Sequence, residues 1–337
     1  MVHDPSRPLE RVRIVVGSDD EGLRLDHFLM DRVSWRSRTE LQGRVRKGQI
    51  LVNGAVVKAA TRLRAGDEVL LIVQKQDLPD QDPSTIDLCI LHEDEDLVVL
   101  NKQPGLIVHP TGGHVLDTII SALFLRYRLM GEAARDVVPQ VVHRLDRNTS
   151  GVLVLAKSAA AKRVLQEQFE GRRPEKRYVA VVAGGPAADT GEIDAPLTRD
   201  LFGEIKIRMK VAADGLPSRT GFEVVERFAD SSLVRCRLFT GRQHQIRVHC
   251  AHAGFPLHAD PLYGDPRDVG FHEDEGPVLR RQALHAESME IEHPRTGATI
   301  RFFAPLPEDL DRFIAGLRAG RRVAHFDDHQ SATWRRA

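Results

Sequence analysis

The sequence predicts an α+β protein in two parts: a small α/β module, then a larger domain with a mixed, largely antiparallel central sheet and flanking helices. Three observations carry that reading. Apolar residues near the start recur at helical spacing just before an Asn-Gly turn signal. An acidic, proline-bearing stretch then interrupts the apolar pattern. Beyond it, strand-like runs follow one another without the regular helical crossovers of a parallel sheet.

Residues 1–12 read as a flexible tail and residues 13–75 as the module. Leu23, Leu25, Phe28 and Leu29 have the spacing of an amphipathic helix, and Leu41 and Val45, four apart, mark a second. Residues 50–57 read as a hairpin around Asn53-Gly54, a pair that tolerates the left-handed backbone of a two-residue turn. Ala65-Gly66-Asp67 turns the chain into a strand over 68–73. Arg36, Arg38, Arg44, Arg46 and Lys47 should crowd near one edge. Residues 76–86 are the acidic linker.

The larger domain, 87–325, has strand-like runs at 97–101, 151–157, 177–183, 220–228 and 233–240. Asp117 is the expected cap of a helix with Ile120, Leu123, Phe124 and Tyr127 on its apolar face. Ser158 is the expected cap of another, with Ala161, Leu165 and Phe169 on one face and Gly171 as its stop. Ile246, Cys250 and Ala253 fall at helical spacing ahead of Gly254, which leaves Arg247, about 100° round the helix from Ile246, free to reach a cleft. Residues 326–337 read as a second tail.

Composition excludes several classes. With 42% hydrophobic and 28% charged residues, the chain of 337 has the profile of a soluble globular protein. No apolar run approaches the roughly 20 residues of a membrane span, and the first residues lack the apolar core of a secretory signal, so a cytoplasmic location is expected. Three scattered cysteines, Cys89, Cys236 and Cys250, make no disulfide framework and no zinc-ligand pairs. The formal net charge is +0, yet between Arg24 and Arg64 ten basic residues face three acidic ones. That local excess fits either a solvated face or a surface for phosphates.

Residues 141–155 are the most informative stretch. A short apolar run enters a polar turn and a stronger one leaves it, so Asp146 sits between Arg144 and Arg147 on a loop held by two strands. Cationic neighbours favour the ionised carboxylate, which suits a nucleophile or an electrostatic stabiliser. The same residues also suit a plain loop salt bridge closed by Thr149 and Ser150. Tyr178 shares a strand face with Ala180 and Val182, as a core tyrosine would. His244, His249, Cys250, His252 and His258 cluster in sequence, but no acid completes a known zinc-helix pattern.

His143-Arg144-Leu145-Asp146 with Thr149-Ser150-Gly151 resembles the signature of the RluA-type ribosomal RNA pseudouridine synthases. Other stretches agree in order: residues 93–102, Lys176-Arg177-Tyr178, residues 241–249, Gln282-Ala283-Leu284-His285-Ala286 and His293-Pro294. Residues 23–67 resemble the S-four-type RNA-binding module that often accompanies this family. The resemblance implies a pseudouridine synthase fold. It makes Asp146 the catalytic aspartate, Tyr178 the aromatic packed on the base and Arg247 the aspartate's partner. Arg144 matches the position that, in some members, fills the gap left by a flipped base, and Leu284 an apolar contact to it. Arg36, Arg38, Arg44, Arg46 and Lys47 would meet RNA phosphates. Neither cofactor nor metal is implied, the partner is ribosomal or transfer RNA, and no obligate protein partner is evident. Gln103-Pro104, Gln243 and His258-Ala259-Asp260 depart from the usual pattern.

The implied reaction suits these residue types. A buried base must leave its stack before its glycosidic bond can be remade, at a cost of about a few kcal/mol. A planar guanidinium can fill the gap, and a tyrosine ring offers a flat face to uracil. A non-enzymatic RNA-binding protein would not need Asp146, Tyr178 and Arg247 together. A methyltransferase would need a glycine-rich cofactor loop that the chain lacks, and a two-carboxylate glycosidase a second acid beside Asp146.

Overall fold

The computed structural model describes residues 11–32, 38–72, 83–110, 117–131, 134, 137–200, 207–265, 268–272, 276, 277 and 279–325. Both expected tails, except Arg11 and Val12, lie outside these residues, as do Arg36, the end of the strand at Val73 and most of the linker. The chain divides into two compact units, residues 1–88 with 106–139, and residues 89–105 with 140–337. The single cut expected at the linker thus leaves out 106–139, which groups with the first unit.

In the first unit, helices α1 (Leu25–Arg32) and α2 (Arg38–Arg46) pack on a four-stranded antiparallel sheet. Its strands are β1 (Arg11–Val15), β2 (Ile50–Val52), β3 (Ala55–Val56) and β4 (Glu68–Ile72), in the order β1-β4-β2-β3. Leu25, Phe28, Leu29, Leu41, Val45 and Ile50 close its core, so the second helical pattern holds and the first holds from Leu25 on, Leu23 lying ahead of α1 and packing on the core only in part. Asn53 and Gly54 are both left-handed, as the hairpin requires. Strand β1 was not expected: Arg11 and Val12, assigned to the tail, pair with Ile72 and Leu71. Asp26 is fully buried and held by both Arg24 and Gln42, so it neutralises one of the ten basic residues and leaves the rest of the excess in place. Helix α3 (Ile119–Leu129) buries Ile120, Leu123, Phe124 and Tyr127 as expected, but its cap is Thr118 rather than Asp117. The hydroxyl of Thr118 accepts from the Ser121 amide, because Thr118 has the extended backbone of a cap residue.

The second unit is built on a ten-stranded sheet. Its strands are β5 (Ile90–Glu93), β6 (Leu97–Lys102), β7 (Gln140–Val141), β8 (Ser150–Ala156), β9 (Glu175–Ala183), β10 (Thr190–Asp194), β13 (Arg219–Arg227), β14 (Ser231–Leu238), β17 (Leu284–Glu292) and β18 (Thr299–Phe303). Their order is β10-β13-β14-β9-β17-β8-β6-β5, with β18 beside β17 and β7 beside β8. Short strands β11 (Leu197–Arg199), β12 (Met209–Val211), β15 (Asp268–His272), β16 (Gly276–Pro277) and β19 (Ala324–His325) form small separate sheets. The large sheet is antiparallel except at β17–β8, so the expected mixed, largely antiparallel α+β architecture is present. All five expected strands form within two residues of their bounds.

Helices α4 (Ala159–Glu170), α5 (Gln245–His252) and α6 (Glu308–Arg318) complete this unit. Ser158 caps α4 through the Ala161 amide and Gly171 ends it, as expected. In α5, Ile246 and Cys250 are buried, but Ala253 is exposed just past the helix end. The parallel junction is a point of very close backbone approach. Gly151 has φ +113°, and a Cβ there would lie 2.2 Å from the Ala286 carbonyl oxygen. Only glycine fits. Register then sets Leu284 opposite Ala180 on β9 and His285 opposite Ser150 on β8. Tyr178, Leu284 and the loop ahead of β8 are therefore neighbours across three adjacent strands. Among the described residues no helix is long and apolar enough to cross a membrane.

Candidate active site

The loop between β7 and β8 presents Asp146, and its backbone is pinned from below. Lys102, at the end of β6, is about 1% exposed, and its ammonium donates to the carbonyls of Gln103, Arg147 and Thr149 at 3.0, 2.7 and 2.9 Å. Burial pushes its pKa down to about 7; Arg281 and Arg147 act in the same direction and Asp146 opposes them. Arg281 donates to the Asn148 carbonyl and Gln282 to the Thr149 hydroxyl, so the turn is held from β17's side as well. His143 accepts the Val154 amide at 2.9 Å and stacks on Phe169. Burial, helped by the charge of Lys176, holds its pKa down at about 3, so this ring is a neutral strut.

Arg247 projects from α5 and meets the loop. Its Nη1 donates to Asp146 Oδ2 at 2.9 Å, while Nε and Nη2 form a two-pronged bond to Asp260 at 2.7 and 2.8 Å. The guanidinium is only 4% exposed and Asp260 is fully buried. Asp260 is completed by the amides of Leu262 and Tyr263. One cation thus faces two carboxylates, and one of these is satisfied by backbone. Asp146 alone keeps partial exposure, at 19% of its side chain. Tyr178 is buried on β9, and burial together with the charge of Asp146 raises its pKa, so it stays a neutral phenol. His244, left-handed at the start of α5, bonds the Tyr263 hydroxyl, and its Nε2 lies 3.8 Å from Asp146 Oδ1, beyond hydrogen-bond reach.

A cleft of about 670 Å³ opens over this group, and Asp146, Tyr178, Arg247, Arg144 and Leu284 all line it. The structure thus brings together the five residues picked out in this domain. Arg44, Arg46 and Lys47 lie at and just after the end of α2 in the first unit. Arg38 belongs to α2, but its side chain lies outside the description. Two residues went unrecognised as parts of the site. Asp260 had been noted as a departure, yet an acid inside the apolar run 255–262 signals a buried cation partner. Lys102, closing an apolar strand, carried the same kind of signal.

Two of the clustered histidines are engaged in hydrogen bonds within the fold. His249 bonds Thr220 and the Ala195 carbonyl, and His258 bonds Ser231. Asp94, Asp96 and His293 do converge elsewhere in this unit. However, His293 Nδ1 accepts from two backbone amides, which leaves the proton on Nε2, pointing at Asp94. Arg295 pairs with Asp96 and Glu95. The cluster is a satisfied ion-pair network.

Residues 96–252 match the family described as RNA pseudouridylate synthase, and residues 23–69 match the S4 domain. The chain is 39% identical over 310 residues to an RNA pseudouridine synthase of Bacillus subtilis (strain 168), YlyB, covering 92% of this chain and 99% of that one. This chain belongs to the RNA pseudouridylate synthase family. The synthase is 35% identical over 316 residues to ribosomal large subunit pseudouridine synthase C of Escherichia coli (strain K12), covering 91% and 97% of the two chains. It also resembles the solved structure of human RNA pseudouridylate synthase domain containing 4, with a TM-score of 0.54 and 26% identity over 68% of this chain and 92% of that one. The synthase is therefore an isomerase acting on RNA.

Two measurements check the supports of the loop. Replacing Lys102 with Met leaves three carbonyls without their donor, and the unfolding free energy should fall by about 3 kcal/mol in urea titrations. The neutral His143 makes the synthase acid-sensitive. Below an unfolded pKa of about 6.5, the unfolded chain takes up a proton that the folded ring refuses, so stability is lost as pH falls from about 6.5 to about 3. Glutamine at 143 should flatten that part of the curve of urea midpoint against pH.

Proposed function

We propose that the synthase converts specific uridines of structured large-subunit ribosomal RNA to pseudouridine by flipping each target base into the Asp146 cleft. The relatives named ribosomal large subunit pseudouridine synthases C and D, similar along nearly the whole chain, support that substrate. The observation that carries the mechanism is the Asp146–Arg247 bond at the floor of the cleft, beside Tyr178.

Arg247 is locked by Asp260, so the ion pair aims a carboxylate rather than simply neutralising it. Asp146 serves the sugar step, as nucleophile at C1′ or as base at C2′. The bond from C1′ to N1 breaks, the uracil turns against the Tyr178 ring and Leu284, and C1′ rejoins at C5. The C5 proton is lost and N1 gains one, so no oxidant or reductant is consumed. A neutral Tyr178 suits this role, because a phenolate would repel the departing uracil anion. Arg144, exposed at the rim, fills the space that the flipped base leaves in the stack.

RNA carrying tritium at uridine C5 releases it to water with each turnover. Asp146→Asn should abolish that release while leaving RNA affinity within about twofold, since binding draws on the module and cleft cations. Release at the wild-type rate would remove Asp146 from the chemistry. The module has its own test. Replacing Arg44, Arg46 and Lys47 together with Ala should flatten the slope of log affinity against log salt by about 2, three phosphate contacts at about 0.7 each. A slope equal to the parent's would show that these residues do not meet the RNA.

A further inference from the structure

The cleft holds more positive charge than the Asp146–Arg247 pair employs. Arg144, Arg172, Lys176 and Arg242 also line it, against one further acid, Glu170. Two of these cations stand apart, because each is partly withdrawn from water and carries a donor with no hydrogen-bond acceptor among the described residues.

Lys176 lies two residues before Tyr178 on β9, so strand alternation sends both side chains to the same face. Among the described residues it has no hydrogen-bond or ion-pair acceptor. Its ammonium lies 6.0 Å from the centre of the Phe169 ring, the outer limit of a cation–π contact, which cannot replace hydrogen bonds. Burial lowers its pKa. A Cβ on Gly241 would stand 3.5 Å from its Nζ, so the ammonium reaches the turn that leads into α5.

Arg242 is the next residue in that turn. Its amide is fixed by Gln245 Oε1 at 3.0 Å, and Gln245 is itself tied to Thr240, Thr220 and the Arg219 carbonyl. The guanidinium Nε is buried and has no acceptor among the described residues. A buried donor left unmet is costly, and more so on a charged group. Two such cations, brought to one stretch of cleft wall by β9 and by the turn before α5, call for an acceptor that arrives from outside. Tyr178 and Leu284 offer the faces that suit a base. Full positive charge with several donors suits a phosphodiester instead.

We propose that Lys176 and Arg242 form an anion subsite that takes a backbone phosphate of the RNA beside the target nucleotide. This deepens the reading of the cleft as the place where the flipped uridine reacts, and rests on it. The subsite holds the strand at the rim, so that the sugar, rather than the base alone, is set over Asp146. It carries no sequence information, because every nucleotide has the same phosphate.

The test uses the full chain and a transcript of large-subunit ribosomal RNA with tritium at uridine C5. Lys176→Gln and Arg242→Gln should each raise KM about tenfold with a much smaller change in kcat. Each should also flatten the salt slope of binding by about 0.7. Lys176→Arg and Arg242→Lys should restore most of both, which a merely structural role would not. Wild-type KM and slope in either glutamine variant, or losses that the charge-retaining variants fail to recover, overturn the subsite. Binding is measured apart from turnover. If the wild-type chain releases no tritium yet the slopes still fall and recover as stated, the subsite stands and the assigned reaction fails.

Discussion

The site depends on one buried guanidinium shared between two carboxylates. Arg247 gives two of its nitrogens to Asp260 and a third to Asp146. The Asp260 bonds, backed by two amides, fix the plane of the guanidinium. The remaining N–H then has one direction in which to point. Removing one partner from such a buried pair costs about 3–5 kcal/mol, so the arrangement resists thermal wandering far better than a surface ion pair. Asp146 is the one member with a path to solvent, and so the one that a substrate can meet.

The rest of the second unit serves that geometry. The sheet sets β9, β17 and β8 side by side and so places Tyr178, Leu284 and the Asp146 loop in register. Lys102 stitches the loop to the end of β6, and His143 ties its entry to β8. The Ser150 hydroxyl bonds His285 Nδ1, whose other nitrogen bonds the Ala304 carbonyl, so β8, β17 and the end of β18 are joined through one ring. Motif residues near Asp146 are thus mostly structural. Of His143, Arg144, Leu145 and Asp146, only the second and fourth offer the cleft a charge.

Much of this was legible in the chain. The strands at 97–102, 150–156 and 175–183 carry short, nearly continuous apolar runs bounded by turns, the pattern of strands buried on both faces. The Asn53-Gly54 hairpin and the Ser158 cap follow from local backbone preferences and needed no tertiary information. Strand β1 escaped because arginines interrupt it and its partner lies over fifty residues away. Thr118 displaced Asp117 because neighbouring residues can both cap, and only the backbone decides between them. Asp260 and Lys102 escaped for a deeper reason. Their roles are relations between distant segments, and a single sequence shows the acid or the amine without its partner. Family resemblance pointed to Arg247, but not to what holds it.

The missing side chain at Gly151 has a consequence for anyone reshaping this protein. Where β8 and β17 run parallel, the backbones approach so closely that even a methyl group would collide with the Ala286 peptide. Widening that seam would draw Leu284 away from Asp146 and open the cleft floor to water. New specificities can be grafted onto the surrounding loops and basic side chains, but the seam itself is closed to engineering. A library that randomises this stretch should leave that one codon untouched.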